Sequence, residues 1–217
     1  MKSLIRQNIF YLIPYLIILI IGLVTLSQIE KGEVIFFFAN HRTPFWDTFF
    51  YISTKLGELV GYILFIILFL FIRFRYAALI GMTAVSAGIL AAILKNIFRH
   101  PRPKPYFGAL GIDISDIAVV GYPLLNSQIS SFPSGHTISA FALFTVLALL
   151  TKNNGLKLVC LILAILVGLS RIYLVSHFLE DVLLGSFVGV LIAFSLHYVN
   201  NKVSMTTDKW YNRRIEF

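Results

Sequence analysis

The sequence predicts an all-α fold: a polytopic membrane helix bundle with six transmembrane helices. Hydrophobic residues make up 58% of the 217 positions and charged residues only 13%, compared with ~25% charged residues in an average soluble domain. The apolar residues are gathered into six runs, and most charged residues lie between the runs. So few charges cannot form a water-facing surface, which excludes a cytosolic globular protein. The single cysteine, Cys160, excludes an internal disulfide framework.

Three of the runs have the ~20 apolar residues with which a helix crosses a bilayer core. They are Gln7–Ile29, Tyr76–Leu94 and Val182–Asn201, with 23, 19 and 20 residues. Lys2 and Arg6 precede the first run, as basic residues precede the apolar part of a signal peptide. The run is longer than such a segment, and no small-x-small cleavage site follows it. We therefore predict a retained membrane anchor.

The other three runs are shorter. They are Leu59–Ile72, Thr137–Thr151 and Leu158–Ser170, with 14, 15 and 13 residues. Each alone would fit a buried core helix, but a chain this apolar offers no soluble core for them to join. Charged residues flank these runs, and long charged side chains can extend a helix to the membrane interface by snorkelling. We therefore predict that these runs are membrane helices too.

Six spans place both termini on one side of the membrane. That side then holds ten of the 18 Lys and Arg residues and two of the ten acidic residues. Basic clusters beside short loops favour the cytosol, so we predict cytosolic termini, with the loops after helices one, three and five outside. Residues 1–201 form the membrane-embedded domain in this prediction, and residues 202–217 form a cytosolic basic tail. The net charge of +8 therefore reflects membrane topology, and we predict no nucleic-acid partner.

Two predicted outer segments have unusual composition. Glu30–Glu58 carries many Phe, Trp and Tyr residues between polar ones, which is typical of an amphipathic helix lying along the membrane interface. The loop from Arg99 to Phe132 is long and contains four prolines. Loops of this length in compact domains are often functional.

Three polar clusters lie at the predicted outer ends of helices. They are Lys95–Pro103, Phe132–His136 and Ser170–Asp181. Ionisable residues near a bilayer are energetically expensive and usually mark function. The clusters come from distant parts of the chain but share one predicted face, so we expect them to form one site.

The residue types in these clusters suit a phosphate or another tetrahedral oxyanion. Lys95, Arg102 and Arg171 are permanent cations, and guanidinium groups bind phosphate oxygens in pairs. Ser134 and Gly135 begin the predicted fourth helix, where free backbone N–H groups and the helix dipole attract an anion.

Two histidines add a reactive pair. His177 and Asp181 are four residues apart and share a helix face if the sixth helix starts near Ser176. The carboxylate would fix one imidazole nitrogen and leave the other free to attack phosphorus. His136, from another helix, could then protonate the leaving oxygen. No carboxylate cluster suited to Mg²⁺ accompanies them, so we predict neither a metal nor another cofactor.

Structural alternatives exist for each of these residues. A basic residue at a helix end is often a membrane anchor, and a lone membrane histidine is often a packed hydrogen-bonding group. Arg171 and Asp181 would also fit a structural ion pair, and residues 133–135 would fit a turn with a helix cap. The functional interpretation is favoured because the residues have complementary chemistry on one face.

The clusters resemble the three motifs of the type 2 phosphatidate phosphatase (PAP2) family, which shares its active-site pattern with vanadium haloperoxidases and glucose-6-phosphatases. The motifs are Lys95 followed after six residues by Arg102-Pro103, then Pro133-Ser134-Gly135-His136, then Ser170-Arg171 with His177 and Asp181. They match in order and without departure over 87 residues. The resemblance implies a metal-independent enzyme with its site at the outer leaflet of the inner (cytoplasmic) membrane, facing the periplasm or cell exterior.

The resemblance also implies residue roles. His177 resembles the nucleophile that forms a phosphohistidine, Asp181 its orienting partner, and His136 the acid for the leaving alcohol and then the base for water. The phosphate-binding positions correspond to Lys95, Arg102, Ser134, Gly135 and Arg171.

The implied activity is hydrolysis of a phosphate monoester or pyrophosphate of a membrane lipid. Candidate substrates are undecaprenyl pyrophosphate, phosphatidylglycerol phosphate, phosphatidate and the phosphates of lipid A. A lipid phosphotransferase with the same phosphohistidine remains an alternative, and so does a small non-enzymatic anion transporter. The six spans argue against a haloperoxidase. A transporter would carry its charges near the bilayer midplane, whereas these lie at helix ends. Neither the substrate nor the oligomeric state follows from the sequence.

Overall fold

In the computed structural model the described chain folds as a helical bundle. The structure describes residues 2–119, 122, 124–125, 130–204 and 213, so most of the predicted basic tail and part of the long outer loop lie outside the described residues. The helices in chain order are α1 (Lys2–Gln7), α2 (Ile9–Gln28), α3 (Glu33–Asn40), α4 (Pro44–Lys55), α5 (Leu59–Leu70), α6 (Phe74–Phe98), α7 (Pro103–Ala109), α8 (Gly135–Leu150), α9 (Asn154–Tyr173) and α10 (Leu179–Ser204). The prediction of an all-α fold is confirmed.

Fewer than six of the described helices have the length and the apolar composition of a membrane span. Among the described residues, α2, α6, α9 and α10 are long and apolar enough to cross a membrane. The pair α4 and α5 would make a fifth span, bent by 55° at the break between the two helices. Helix α8 is apolar but has only 16 residues, so a span count of six stays a prediction.

Helix α9 is longer than the apolar run Leu158–Ser170 that predicts it. The side chain of Asn153 caps the helix by accepting a hydrogen bond from the Leu156 N–H at 3.1 Å. Lys157 is buried in the first turn, and its ammonium donates to the Gln7 carbonyl and the Asn8 side chain at 2.5 and 2.6 Å. The lysine thus joins the start of α9 to the start of α2, and the helix reaches 20 residues.

The aromatic segment Glu30–Glu58 forms two helices, α3 and α4, instead of a single interfacial helix. Thr43 caps α4 and Pro44 occupies its first turn, which defines a sharp start. Helix α4 packs against α9, where Phe50 stacks on Tyr173 with ring centroids 4.5 Å apart. The segment therefore covers the C-terminal end of α9.

Helix α8 lies at the centre of the bundle. Eleven of its 16 residues are buried, and it packs against α6, α9 and α10. Tyrosines from the surrounding helices satisfy polar groups on α8: the Tyr11 hydroxyl bonds Thr145 Oγ1 at 2.6 Å, and the Tyr62 hydroxyl donates to the Ser139 carbonyl at 2.8 Å. Because neighbouring helices surround it, α8 holds its N-terminal residues in a fixed position.

Helices α8 and α10 approach closely at two glycines with GxxxG spacing. A methyl group built on Gly189 would lie 2.6 Å from the Ile138 carbonyl oxygen, and one on Gly185 would lie 3.0 Å from the Ser134 carbonyl oxygen. Small residues at this spacing let helix backbones pack directly in a membrane. Since α8 and α10 both begin at polar clusters, this contact sets the distance between those clusters.

We expect Gly189→Ala to destabilise the protein, because the added methyl group must push α8 and α10 apart. Overpacking of this kind costs roughly 1–3 kcal/mol. The measurement is the thermal unfolding midpoint of the purified protein in detergent. Gly81→Ala is the matched control, since a methyl group there meets only Ile66 Cδ1 at 3.9 Å. Equal midpoints for the two variants would contradict the close α8–α10 contact.

Candidate active site

The structure brings the three polar clusters together at one end of α6, α8, α9 and α10. The Ser134 N–H donates to the Asp181 carbonyl at 3.0 Å, which ties the start of α8 to the first turn of α10. A methyl group built on Gly135 would lie 3.7 Å from Lys95 Nζ, so the lysine from α6 lies over the bare face of this glycine. The residues that the sequence analysis assigned to one site therefore share one place in the fold.

His177 and Asp181 form a buried pair. The Nδ1 atom of His177 lies 3.1 Å from Asp181 Oδ2, and each side chain is at most 2% exposed. Helix α10 begins at Leu179, so the expectation that the pair shares a helix face from Ser176 onward is wrong. His177 instead lies in the turn before the helix, and Asp181 reaches back to it from the first helical turn.

The Asp181 carboxylate orients the histidine because it is itself held in place. Its Oδ2 atom accepts hydrogen bonds from the Phe178 N–H at 3.0 Å and from the Ser131 hydroxyl, in addition to its contact with His177. The Ser131 hydroxyl also lies 3.1 Å from His177 Nδ1. With Nδ1 engaged in this way, Nε2 is the ring nitrogen that remains for a ligand.

The surroundings keep His177 neutral. Burial, followed by the positive charges of Arg171, Arg102 and Lys95, holds the pKa of His177 well below its usual range. A neutral imidazole with a fixed Nδ1 presents an unprotonated Nε2 at neutral pH. The ring can therefore act as a nucleophile.

The guanidinium groups of the site donate hydrogen bonds to uncharged oxygen atoms. Arg171 is 1% exposed, and it donates to the Thr54 hydroxyl at 2.6 Å and the Tyr122 hydroxyl at 2.9 Å. Arg102 donates to the Ser176 carbonyl at 3.1 Å.

These guanidinium groups leave positive charge without a carboxylate partner. No ion pair joins Arg171 to Asp181, so that structural alternative is wrong. In the described part of the chain, none of the ion pairs includes Lys95, Arg102 or Arg171. The site therefore has the electrostatic character of an anion-binding pocket.

Ser134 caps α8. Its hydroxyl accepts hydrogen bonds from the Thr137 hydroxyl at 2.9 Å and the Thr137 N–H at 3.4 Å, as expected for a helix cap. Its own N–H is occupied by Asp181, in contrast to the expectation that it would be free for an anion. Within the described ranges, no protein group accepts from the N–H groups of Gly135 and His136, and these two remain for an oxyanion.

His136 faces an apolar cavity. Its Nε2 atom lies 3.6 Å from Glu58 Oε1, and both side chains are about one-third exposed. The cavity has a volume of about 400 Å³ between α5, α6 and α8. Its lining residues are mostly small or apolar: Gly57, Glu58, Leu59, Tyr62, Ala84, Ala87, Gly88, Ala91, Gly135, His136 and Ser139.

Four polar residues of the site carry no sequence signal. Ser131, Thr54 and Tyr122 are single polar residues in a loop or an aromatic-rich segment, and only the fold shows that they hold Asp181 and Arg171. Glu58 ends the aromatic segment Glu30–Glu58, just before the run Leu59–Ile72, and nothing in its local sequence indicates that it lies beside His136. Among the residues that the structure describes, no three His, Cys, Asp or Glu side chains cluster as metal ligands would.

The chain matches a known family over most of its length. The family model described as PAP2 superfamily matches residues 75–204, which include all three motifs. A solved structure, the first transmembrane PAP2 type phosphatidylglycerolphosphate phosphatase from Bacillus subtilis, has a TM-score of 0.64 at 22% identity and covers 94% of this chain and 98% of that one. That likeness shows the fold, and the chain is a multi-pass integral membrane protein.

Two curated relatives are more similar in sequence over shorter regions. Phosphatidylglycerophosphatase B of Bacillus subtilis strain 168 is 33% identical over 96 residues, which are 40% of this chain and 47% of the relative. Bacitracin transport permease protein BcrC of Bacillus licheniformis is 32% identical over 124 residues, which are 56% of each chain. The chain thus spans about half the length of the curated relatives it matches.

We expect His177 to titrate well below pH 6.5, because its charged form is both desolvated and repelled by three cations. Histidine-labelled protein in detergent, observed by ¹⁵N NMR, measures this midpoint. Arg102→Gln should raise the midpoint, and so should added phosphate, since each reduces the positive field. A His177 midpoint at or above 6.5, insensitive to phosphate, would contradict the buried cationic surroundings.

Proposed function

Because this chain belongs to the PAP2 superfamily, as its three motifs predict, we propose that it is an integral-membrane lipid phosphatase. It removes phosphate from a membrane lipid through a phosphohistidine at His177. The observation that supports this most is the buried His177–Asp181 pair beside the unpaired charges of Lys95, Arg102 and Arg171. A nucleophile held neutral next to an anion-binding pocket suits phosphoryl transfer.

The first step transfers the phosphoryl group to the protein. His177 Nε2 attacks phosphorus and forms the N–P bond while the P–O bond to the lipid breaks. His136 gives its proton to the departing oxygen, which leaves as an alcohol. Asp181 accepts the Nδ1–H bond and stabilises the positive charge that the imidazole gains, and the cations stabilise the charge on the phosphoryl oxygens.

The second step restores the protein. His136, now neutral, takes a proton from water, and the resulting hydroxide attacks phosphorus as the N–P bond breaks. Inorganic phosphate leaves and His177 is neutral again. The charges of His136, His177 and Arg171 interact, which supports a shared role for the two histidines.

The apolar cavity beside His136 supports a lipid leaving group. Along α6 its lining runs from Ala91 to Ala84, a distance of ~10 Å at the helical rise per residue. A chain seated there would extend from the phosphate site toward the bilayer interior. Phosphatidylglycerol phosphate, phosphatidate, lipid A phosphates and undecaprenyl pyrophosphate are the candidate substrates. The name phosphatidylglycerophosphatase of one relative supports the first of them.

The proposed orientation follows from charge. We take α8 as the sixth span, since α6, α9 and α10 surround it. Six spans put both termini in the cytosol and the site at the outer leaflet of the inner membrane, facing the periplasm or cell exterior. The substrate is then a lipid phosphate of that leaflet.

We expect purified protein to release phosphate from a panel of these lipids in the presence of EDTA, because Lys95, Arg102 and Arg171 supply the charge stabilisation. His177→Ala should lose at least about 10³-fold in rate, because the variant lacks the imidazole that takes the phosphoryl group. His41→Ala is the matched control, because the His41 ring bonds the Phe37 carbonyl and packs on the Phe37 ring, both within the adjoining helix α3.

Two outcomes of this substrate panel would contradict the proposed mechanism. Near wild-type rates for His177→Ala would exclude the phosphohistidine, and activity that requires added Mg²⁺ or Zn²⁺ would exclude metal-independent chemistry. Acid-labile radiolabel on the wild-type protein after a quench during turnover should disappear in His177→Ala. Phosphate recovered on an added lipid alcohol, rather than in water, would identify the protein as a phosphotransferase.

We expect Ala118→Cys to react with an impermeant thiol reagent in intact cells and Lys202→Cys to react only after permeabilisation. Both positions are exposed in the structure, and they lie on opposite predicted sides of the membrane. Cys160 is partly buried in α9, and the Cys160→Ser substitution removes any background labelling of this native thiol. The reverse labelling pattern would overturn the orientation and with it the proposed substrate pool.

A further inference from the structure

Glu58 is the acidic residue that faces His136. It lies in the break between α4 and α5, where Gly57 brings the chain against α8: a methyl group on Gly57 would lie 3.0 Å from the His136 carbonyl oxygen. The Oε1 atom of Glu58 is 3.6 Å from His136 Nε2 and 3.1 Å from Lys55 Nζ. The carboxylate is therefore positioned by the backbone packing of its own turn.

Glu58 and the three cations are placed beside different histidines. Glu58 lines the apolar cavity, and it is the one carboxylate among that cavity's lining residues. Lys95, Arg102 and Arg171 instead surround His177. If the transferred phosphoryl group lies among the cations and the lipid lies in the cavity, Glu58 adjoins the leaving group and not the phosphoryl group.

We propose that Glu58 makes this site prefer lipid phosphate monoesters over lipid diphosphates. This inference rests on the proposed function. For monoesters Glu58 acts through His136, and for diphosphates it acts directly through its own charge.

For a monoester, the departing oxygen would be an alkoxide, which is a poor leaving group without a proton. His136 must carry that proton, and an adjacent carboxylate favours the protonated imidazole. With Nε2 turned to Glu58, Nδ1 is the nitrogen that gives its proton to the oxygen. The product is a neutral alcohol, which the carboxylate does not repel.

For a diphosphate, the departing group is a lipid monophosphate. Its oxygen leaves readily without a proton, so the help of His136 matters less. The departing group also carries negative charge into the cavity beside Glu58, and like charges in a partly desolvated site repel. Glu58 therefore favours one class of substrate and disfavours the other.

Lys55 moderates this effect. Its ammonium contacts the same Glu58 oxygen that faces His136, and its side chain is 47% exposed. Removal of Lys55 leaves the carboxylate with His136 alone, so Lys55→Gln and Glu58→Gln should change the substrate preference in opposite directions.

The test compares phosphatidate with diacylglycerol pyrophosphate, which share the same lipid tails, in mixed micelles at one pH. Glu58→Gln should lower kcat for phosphatidate about tenfold, a part of the 10²–10⁴-fold that a general acid contributes, and leave the diphosphate rate unchanged or raised. An aryl phosphate, whose phenolate departs with little need for a proton, should change by less than about twofold. Lys55→Gln should increase the phosphatidate preference.

Glu33→Gln is the matched control. Glu33 is another outer glutamate, and its carboxylate accepts a hydrogen bond from the Glu30 N–H at the start of α3. Its rates on both lipids should stay at the wild-type level. Glu58→Asp should restore part of the phosphatidate rate, because it keeps the charge.

Other outcomes separate the two proposals. Equal losses on phosphatidate and the diphosphate in Glu58→Gln, or a wild-type preference for the diphosphate, would overturn the role of Glu58 while leaving the phosphatase function intact. A wild-type protein that hydrolyses neither these three substrates nor any other candidate lipid phosphate named above would overturn the proposed function itself.

Discussion

Positive charge buried without a carboxylate partner is the constraint on which the rest of this site depends. Taking a guanidinium out of water is costly unless its hydrogen bonds are replaced. Arg171 replaces them with the hydroxyls of Thr54 and Tyr122, and Arg102 does so with a backbone carbonyl. These oxygens accept hydrogen bonds from the guanidinium groups but do not cancel their positive charge. The uncancelled positive charge keeps His177 neutral and favours an anion, so in the proposed mechanism one arrangement provides both the nucleophile and the binding site for the group that it attacks.

The bundle is built so that this field has a fixed shape. Helices α6, α8, α9 and α10 each bring a polar end to the site, and buried packing around α8 fixes their relative positions. The glycines of α10 bring its backbone against α8, and the Ser134 N–H then bonds directly to the Asp181 carbonyl. A site assembled from helix ends in this way is held by the whole membrane core, which suits chemistry that depends on the placement of charge.

The sequence predicts the helical membrane fold and the three clusters because both leave local signals: long apolar runs, and charged residues at their ends. It does not predict where α9 and α10 begin. The start of α9 depends on a cap at Asn153 and on Lys157 reaching the start of α2, and Asp181 bends back to a turn before α10. The partners of Arg171 were also missed, since Thr54 lies 117 residues away in the chain. Contacts between residues so far apart in the chain depend on tertiary packing, and no local sequence pattern predicts them.

The site divides into two halves that face different parts of a lipid substrate. The phosphoryl group that all candidate lipids share would meet Lys95, Arg102, Arg171 and the N–H groups at the start of α8. The leaving group, in which those lipids differ, would meet His136, Glu58 and the cavity between α5 and α6. The three motifs belong almost entirely to the first half, because the chemistry of phosphoryl transfer requires them. If the motifs serve this shared chemistry, specificity depends on residues outside them, and Glu58, which adjoins the proposed proton donor, is a charged residue of that kind.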